Sequence, residues 1–263
     1  MIEIEMHGGL GDCFLHLHKT DAYDILSRAT EDVTIHINSH NPHVSELFAN
    51  HPAKSKIRLH VIYPWSVEFL ESSARAKAGL PAKVPDRVDR FPFPLEYYPS
   101  EEDREVLKSL PKRYLLASFS ASSNPRSLPE SIYKPIVSAA SRARIPVVMI
   151  GRSYGETSIP RNEVSFDAPG VINLVDKLTV PGSVLALRRS TAMVTCHSSM
   201  NIVGWFERKP QFLCYNESTR IAHFLTDAGD TWSFGKNFPE TEHLLYSQFT
   251  QARFSAFLKR NFK

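Results

Sequence analysis

Several short stretches of this chain set polar side chains beside glycine or proline, where a turn can present them to a ligand. The first is HGGLGD at 7–12. Gly8, Gly9 and Gly11 let the main chain pass close to a ligand, and a helix starting there offers free N–H groups to an anion. Asp12, at such a helix start, can take the proton of an acceptor hydroxyl, or it can simply cap the helix. His7 is a rival base, because an imidazole titrates near ~6.5 while a helix N-terminus lowers the proton affinity of a carboxylate. An apolar wall, Phe14 or Leu10, would offset that by desolvating Asp12.

The second stretch, SASSNPR at 120–126, offers serine hydroxyls (Ser120 and Ser122 among them) and the guanidinium of Arg126. Hydroxyls, turn amides and an arginine supply the donors that a diphosphate needs without a metal. The third, CHSSMN at 196–201, places His197, Ser198 and Ser199 at the opening of a helix, where Ser198 can equally be an ordinary N-cap. GRSYGE at 151–156 begins with Gly151, a further point of close approach to a donor, and NSHNPH at 38–43 puts His40 and Asn41 where an acceptor can be touched. The spacing His36, His40, His43 invites a metal reading. One histidine on a strand and two in a turn share no face, however, and no HExxH or clustered cysteines accompany them, so no metal site is expected. GxGxxG, GxSxG and GxxxxGK[ST] are all missing, which argues against a classical NAD site, a serine-hydrolase elbow and a P-loop.

Positioning these turns requires strands that end at them and helices that begin there. Short β-branched runs do alternate with amphipathic stretches. IEIEM (2–6), VTIHIN (33–38) and IRLHVI (57–62) predict strands; LGDCFLHLHK predicts a helix, and in NPHVSELFANH Pro42 suits a first helical turn with Val44, Leu47 and Phe48 on one face. A further helix is expected from about Ser66 to Ala78, then a proline-rich linker over 81–99, then a helix at 100–110 with Ser100 as N-cap. The pattern restarts with strands at YLLASFS (114–120), IPVVMIG (145–151), GVINL (170–174), AMVTC (192–196) and QFLCY (211–215). Between them run LPESIYKPIVSAASRAR, a helix interrupted by Pro135, and the helices VPGSVLALRRS and SSMNIVGWFER. From about Glu242 to Phe262 the apolar residues fall near helical spacing. Strands separated by helices of this length predict parallel sheets covered on both faces, here in two doubly wound domains. Ligands in such sheets bind where strands end and helices begin, which is where the polar turns lie.

The charge divides in the same place. Residues 1–110 carry 12 Lys and Arg against 17 Asp and Glu, a net of −5, while residues 111–263 carry 19 against 11, a net of +8. The second half is suited to an anion such as a phosphate. With 42% hydrophobic and 22% charged residues the chain is neither disordered nor a disulfide-dense mini-protein. No apolar run approaches the ~18 residues of a transmembrane helix, and MIEIEMHGG resembles no signal peptide. Three cysteines without CxxC spacing read as reduced thiols, so a cytoplasmic protein is expected.

In order and spacing, these features resemble a family: a glycine turn plus Asp after the first strand, S-x-S-x-x-x-R before a helix, V-V-M-I-G, V-I-N-L-V, then a helix and strand ending in a polar triplet. This order resembles the heptosyltransferases of glycosyltransferase family nine. The resemblance implies an α/β chain of GT-B architecture, two Rossmann-like doubly wound domains facing a cleft. It divides the chain into an acceptor domain (1–105), a nucleotide-sugar donor domain (106–242) and a C-terminal helix (243–263) packing back across both. It implies that Asp12 is the catalytic base, that Ser120, Ser122 and Arg126 meet the donor phosphates, and that His197-Ser198-Ser199 falls on the family's D-S/T-G triplet at the donor site. His stands there for the acid and Ser for the glycine. The activity implied is inverting, metal-independent transfer of a hexosyl or heptosyl group from a nucleotide-diphosphate sugar, with no other cofactor, to a glycan or glycoconjugate. Two alternatives stay open: a phage-type DNA glycosyltransferase acting on a hydroxymethylated base, and a non-catalytic nucleotide-sugar-binding module. The acidic first half opposes a DNA acceptor.

Overall fold

A computed structural model describes residues 2–7, 9–19, 26, 28, 30–39, 41–62, 95–121, 126–152, 164–216 and 240–263, with the backbone alone described at some of them, including His7 and Asp12. The expected helix at 66–78 and most of the proline-rich linker lie outside these residues. The chain divides into two compact units, Met1–Ser100 with Thr179–Gly182, and Glu101–Leu178 with Ser183–Lys263.

In the first unit, β1 (Ile2–His7), β2 (Val33–Asn38) and β3 (Ile57–Ile62) form a parallel sheet in that order. α1 (Leu10–Lys19) follows β1, and a 3₁₀ turn (Pro42–Ser45) runs into α2 (Glu46–Ala49) after β2. α1 buries Leu10, Cys13, Phe14 and Leu17, the i, i+3, i+4, i+7 stripe of a helix lying on a core. Val44, Leu47 and Phe48 are buried together, as their shared face predicts. Leu10 and Phe14 are core residues; Phe14 meets Tyr97 edge-on at 5.7 Å.

Burial alternates along the described strands of this sheet. Ile4, Met6, Val33, Ile35 and Ile37 are buried, while the alternate positions Thr34 and His36 are half-buried, and Arg58 and His60 are exposed.

The second unit opens with α3 (Glu101–Lys108), whose first turn carries Glu101, Glu102 and Asp103. Its six strands are β4 (Leu115–Ser118), β5 (Val147–Met149), β6 (Val171–Asn173), β7 (Ala192–Cys196), β8 (Gln211–Tyr215) and β9 (Thr241–Leu245). They lie in the order β6-β5-β4-β7-β8-β9, and every neighbouring pair is parallel. The connections run outward in one direction from β4 and in the other from β7, so this sheet takes helices on both faces, and every residue of β4, β5, β7 and β8 is buried. The helices are α4 (Glu130–Arg142), α5 (Val180–Arg189), α6 (Ser199–Phe206) and α7 (Gln251–Asn261).

Two expectations are corrected here. Pro135 does not interrupt α4, which runs through it. The missing N–H frees the carbonyl of Ser131, but Ser131 is exposed to solvent, while Ile132, Ile136, Ala139 and Ala140 hold the helix on the core. The tail is not helical from Glu242. Residues 241–245 pair with the edge of β8, burying Leu244, and the helix starts only where the hydroxyl of Thr250 accepts the N–H of Arg253 (3.2 Å). Phe254 and Phe257 of α7 pack on Phe212 of β8, with ring centroids 5.1 and 5.4 Å away.

α6 approaches the sheet closely because residue 204 is glycine. A Cβ at Gly204 would lie 2.5 Å from Met193 Sδ and 2.8 Å from Gln211 Cδ, and Gln211 is fully buried with its amide donating to the Asn201 carbonyl. Gly204→Ala is expected to destabilise the fold by about 1–3 kcal/mol, overpacking outweighing the gain of ~1 kcal/mol in helix propensity. Urea unfolding checks it; unchanged or raised stability would show that Met193 and Gln211 can move aside.

Candidate functional site

The strand order places a topological switch point between β4 and β7, where the connections part; in open α/β sheets ligands bind beyond the carboxyl ends of the strands at such a point. The residues just past β4 and β7 are those that the sequence singled out. After β4 the chain runs through Phe119, Ser120 and Ala121, all buried. A loop then returns to Leu128, whose N–H donates to the Phe119 carbonyl (2.8 Å), while the Ala121 N–H donates to Ser127 Oγ (3.0 Å). Ser122 lies outside the described residues. Ser120 Oγ accepts the N–H of Val164 at 2.7 Å, so this hydroxyl ties the loop to a second segment.

Arg126 is half-buried on the returning arm of the loop. The hydroxyl of Tyr246 donates to the carbonyls of Arg126 (2.9 Å) and Ser127 (3.0 Å), anchoring the main chain that carries the guanidinium. After β7 come His197, 9% exposed, and Ser198. Ser198 occupies the N-cap position of α6, its N–H donating to Asn201 Oδ1 at 2.9 Å and its hydroxyl lying 3.4 Å from that of Thr195. The ordinary reading of Ser198 as a helix cap is thus realised. Ser199 begins α6, whose first-turn N–H groups lack intrahelical partners.

Electrostatics join the two turns. Burial and, less strongly, the positive charge of Arg126 nearby push the His197 imidazole down to about 4, so His197 is neutral at physiological pH. One permanent cation, a neutral imidazole, hydroxyls and a helix N-terminus thus gather at the switch point, an assembly suited to an anion.

Gly151 follows β5, and its carbonyl accepts the Asp176 N–H at 3.0 Å. Beside it, half-buried Arg152 is a second cation at the carboxyl edge of the sheet. Sequence reasoning passed over Arg152 although it sits in the same GRSYGE turn. It also missed Tyr246, whose signal was masked by reading the tail as one helix.

In the first unit, Gly9 and Gly11 are half-buried at the start of α1, and the Gly9 carbonyl accepts the Cys13 N–H (3.1 Å) in its first turn. Asp12 stands in that turn and His7 ends β1, but the side chains of both, and His40 altogether, lie outside the described residues. Asn41 is buried and caps the 3₁₀ turn, its Oδ1 accepting the His43 N–H at 2.9 Å. The three histidines weighed as metal ligands have other partners where described: His36 Nδ1 lies 3.3 Å from His60 Nδ1, and His43 Nδ1 lies 2.9 Å from Glu46. Among the described residues no three His, Cys, Asp or Glu side chains gather to hold a metal ion, all three cysteines are buried free thiols, and no helix is long and apolar enough to cross a membrane.

By sequence, no protein-family model and no curated protein matches this chain. Solved structures match its fold. ADP-heptose lipopolysaccharide heptosyltransferase II of E. coli aligns with a TM-score of 0.56 at 13% identity, over 99% of this chain and 98% of its own. A glycosyl transferase of family 9 from Veillonella parvula aligns at 0.52 and 11% identity, over 93% and 86%. The E. coli heptosyltransferase WaaC with ADP gives 0.52 and 11%, over 99% of both chains. At such identities the likeness is one of fold. This chain has the GT-B fold of the family nine heptosyltransferases.

Proposed function

We propose, starting from that fold, that this chain is an inverting, metal-independent glycosyltransferase that moves a sugar from a nucleoside-diphosphate donor to a hydroxyl of a glycan or glycoconjugate. The observation that carries the donor half is the switch point between β4 and β7, where Arg126 lies close enough to His197 to lower its proton affinity and α6 presents its N-terminus. Structural relatives with this fold are heptosyltransferases, and one of them, WaaC, is seen with ADP. The second unit would hold the diphosphate and the first unit the acceptor.

In this reading Asp12, or His7, takes the proton of the acceptor hydroxyl. The oxygen forms a bond to the anomeric carbon as the diphosphate leaves from the opposite face, so a single displacement inverts the configuration. Arg126 and the α6 amides stabilise the charge that develops on the departing phosphate, preorganised before it forms. The net −5 of residues 1–110 favours a neutral or cationic acceptor over DNA.

Two measurements test it. Arg126→Ala is expected to weaken binding of a nucleoside diphosphate by about 1.5–3 kcal/mol, roughly 10- to 150-fold, because a charge-assisted hydrogen bond to phosphate is lost. Fold stability should change by less than about 0.5 kcal/mol, since Tyr246 holds the Arg126 main chain and not its side chain. Calorimetry showing unchanged affinity would remove Arg126 from the site. Sugar transfer is also expected to survive excess EDTA, because the sequence has no Asp-x-Asp motif and the leaving group is met by fixed cations and amides. Loss of transfer that manganese or magnesium restores would rule out the metal-independent route.

A further inference from the structure

Beyond the turns that form the donor site, three rings line up where β7, β8 and β9 run side by side. Cys196 and Cys214 are register partners, so His197 and Tyr215 stand one step further along neighbouring strands. Their rings stack with centroids 6.0 Å apart and planes 29° apart. Tyr215 also stacks on His243 of β9, with centroids 5.9 Å apart and planes only 8° apart. The Tyr215 ring is 1% exposed, and its hydroxyl lies 3.0 Å from His243 Nδ1.

The charge states follow from burial. Tyr215 is held far above the usual phenol range, so it keeps its proton, and His243 is pushed down to about 4, so it is neutral. The phenol and the imidazole are therefore both neutral and share one hydrogen bond between the hydroxyl and Nδ1. Behind His243 lies the indole of Trp205, 6.2 Å between ring centres, on α6 itself. Tyr215 is thus fixed at its hydroxyl as well as on its faces, a stronger constraint than a buried phenylalanine would meet. Of these rings, His197 is the one that belongs to the turn between β7 and α6.

We propose that Tyr215, clamped by His243, is a positioning residue for the donor site: its ring sets the orientation of His197 between β7 and the N-terminus of α6. The proposal rests on the donor reading of that turn. It assigns Tyr215 and His243 no contact with substrate; they act through His197.

The test uses the full chain and four probes, ADP, UDP, GDP and CDP, titrated by calorimetry into wild type, His197→Ala, Tyr215→Leu, Tyr215→Phe and the His197→Ala/Tyr215→Leu double variant. Tyr215→Leu is expected to weaken the nucleotide that binds best by about tenfold, Tyr215→Phe by only two- to threefold because the ring remains, and the double variant no more than His197→Ala alone. A purely structural Tyr215 would lower thermal stability without this pattern. Unchanged affinity in folded Tyr215→Leu, or a tenfold loss that persists on the His197→Ala background, overturns the positioning role while leaving the donor site standing. Failure of all four nucleotides to bind wild type overturns the donor reading and this proposal with it. Should Tyr215→Leu not fold, Tyr215→Met replaces it. The wild-type chain supplies an independent check: the Cε1–H resonance of His197 must move when nucleotide is added, and a resonance that stays fixed at saturation overturns the proposal.

Discussion

Asp12→Asn is expected to cut turnover by roughly 10²–10⁴ while leaving nucleotide affinity nearly unchanged, the effect of removing a general base whose shape is kept. Asp12 stands in the first turn of α1, directly after the strand-to-helix turn at Gly9. Asparagine is itself compatible with a helix start, so the fold should tolerate the change. The dipole of α1 favours the ionised carboxylate and weakens it as a base. Leu10 and Phe14 lie in the core beneath the helix. The pH profile separates the candidates: a carboxylate loses activity only below about pH 4–5, an imidazole at His7 as pH falls through ~6.5. His7→Ala should cost much less than Asp12→Asn. Near-normal turnover in Asp12→Asn together with a dead His7→Ala would exchange the two roles, and activity in both would reduce HGGLGD to a helix start.

Acid is expected to unfold this protein earlier than its carboxylates alone would require. His197 and His243 each fall from the usual 6.5 to about 4 on folding, chiefly because burial penalises the charged imidazole. Between those values the unfolded chain binds two protons that the native chain refuses, so the stabilisation is complete above about pH 6.5 and is lost as pH falls towards 4. From pH 7 to pH 5 the two together should remove about 4 kcal/mol from the free energy of unfolding, a large part of the ~5–15 kcal/mol typical of a domain. His51 adds to this in the same direction, since burial lowers it too. Urea titrations at the two pH values measure the difference. A flat profile would mean that both imidazoles accept protons in the folded state.

The strands were legible because their apolar runs are short and punctuated: VTIHIN, IRLHVI, AMVTC and QFLCY occupy the residues that the periodicity assigned. β9 was not, because Leu244 and Leu245 lie close enough to Phe249 to complete a helical pattern by accident. Its strand character comes from the open edge of β8, a tertiary cause absent from the segment itself. At the candidate site, the polar turns after β4 and β7 could be read because glycine, serine and arginine mark strand-to-helix junctions. The neighbours that hold them could not. Tyr246 reaches Arg126 from 120 residues away, and Tyr215 and His243 look like ordinary strand residues until the sheet sets them in a row.

The central claim is that the carboxyl ends of β4 and β7 hold a nucleoside diphosphate. The most direct measurement is a titration of the isotope-labelled chain with ADP, UDP, GDP and CDP, followed through the backbone amide resonances. The account predicts saturable shifts for at least one nucleotide, concentrated at Ser120, Ala121, Arg126, Ser198 and Ser199 and abolished at the same concentrations by Arg126→Ala. Shifts confined to other parts of the chain, or none with any of the four, would contradict it.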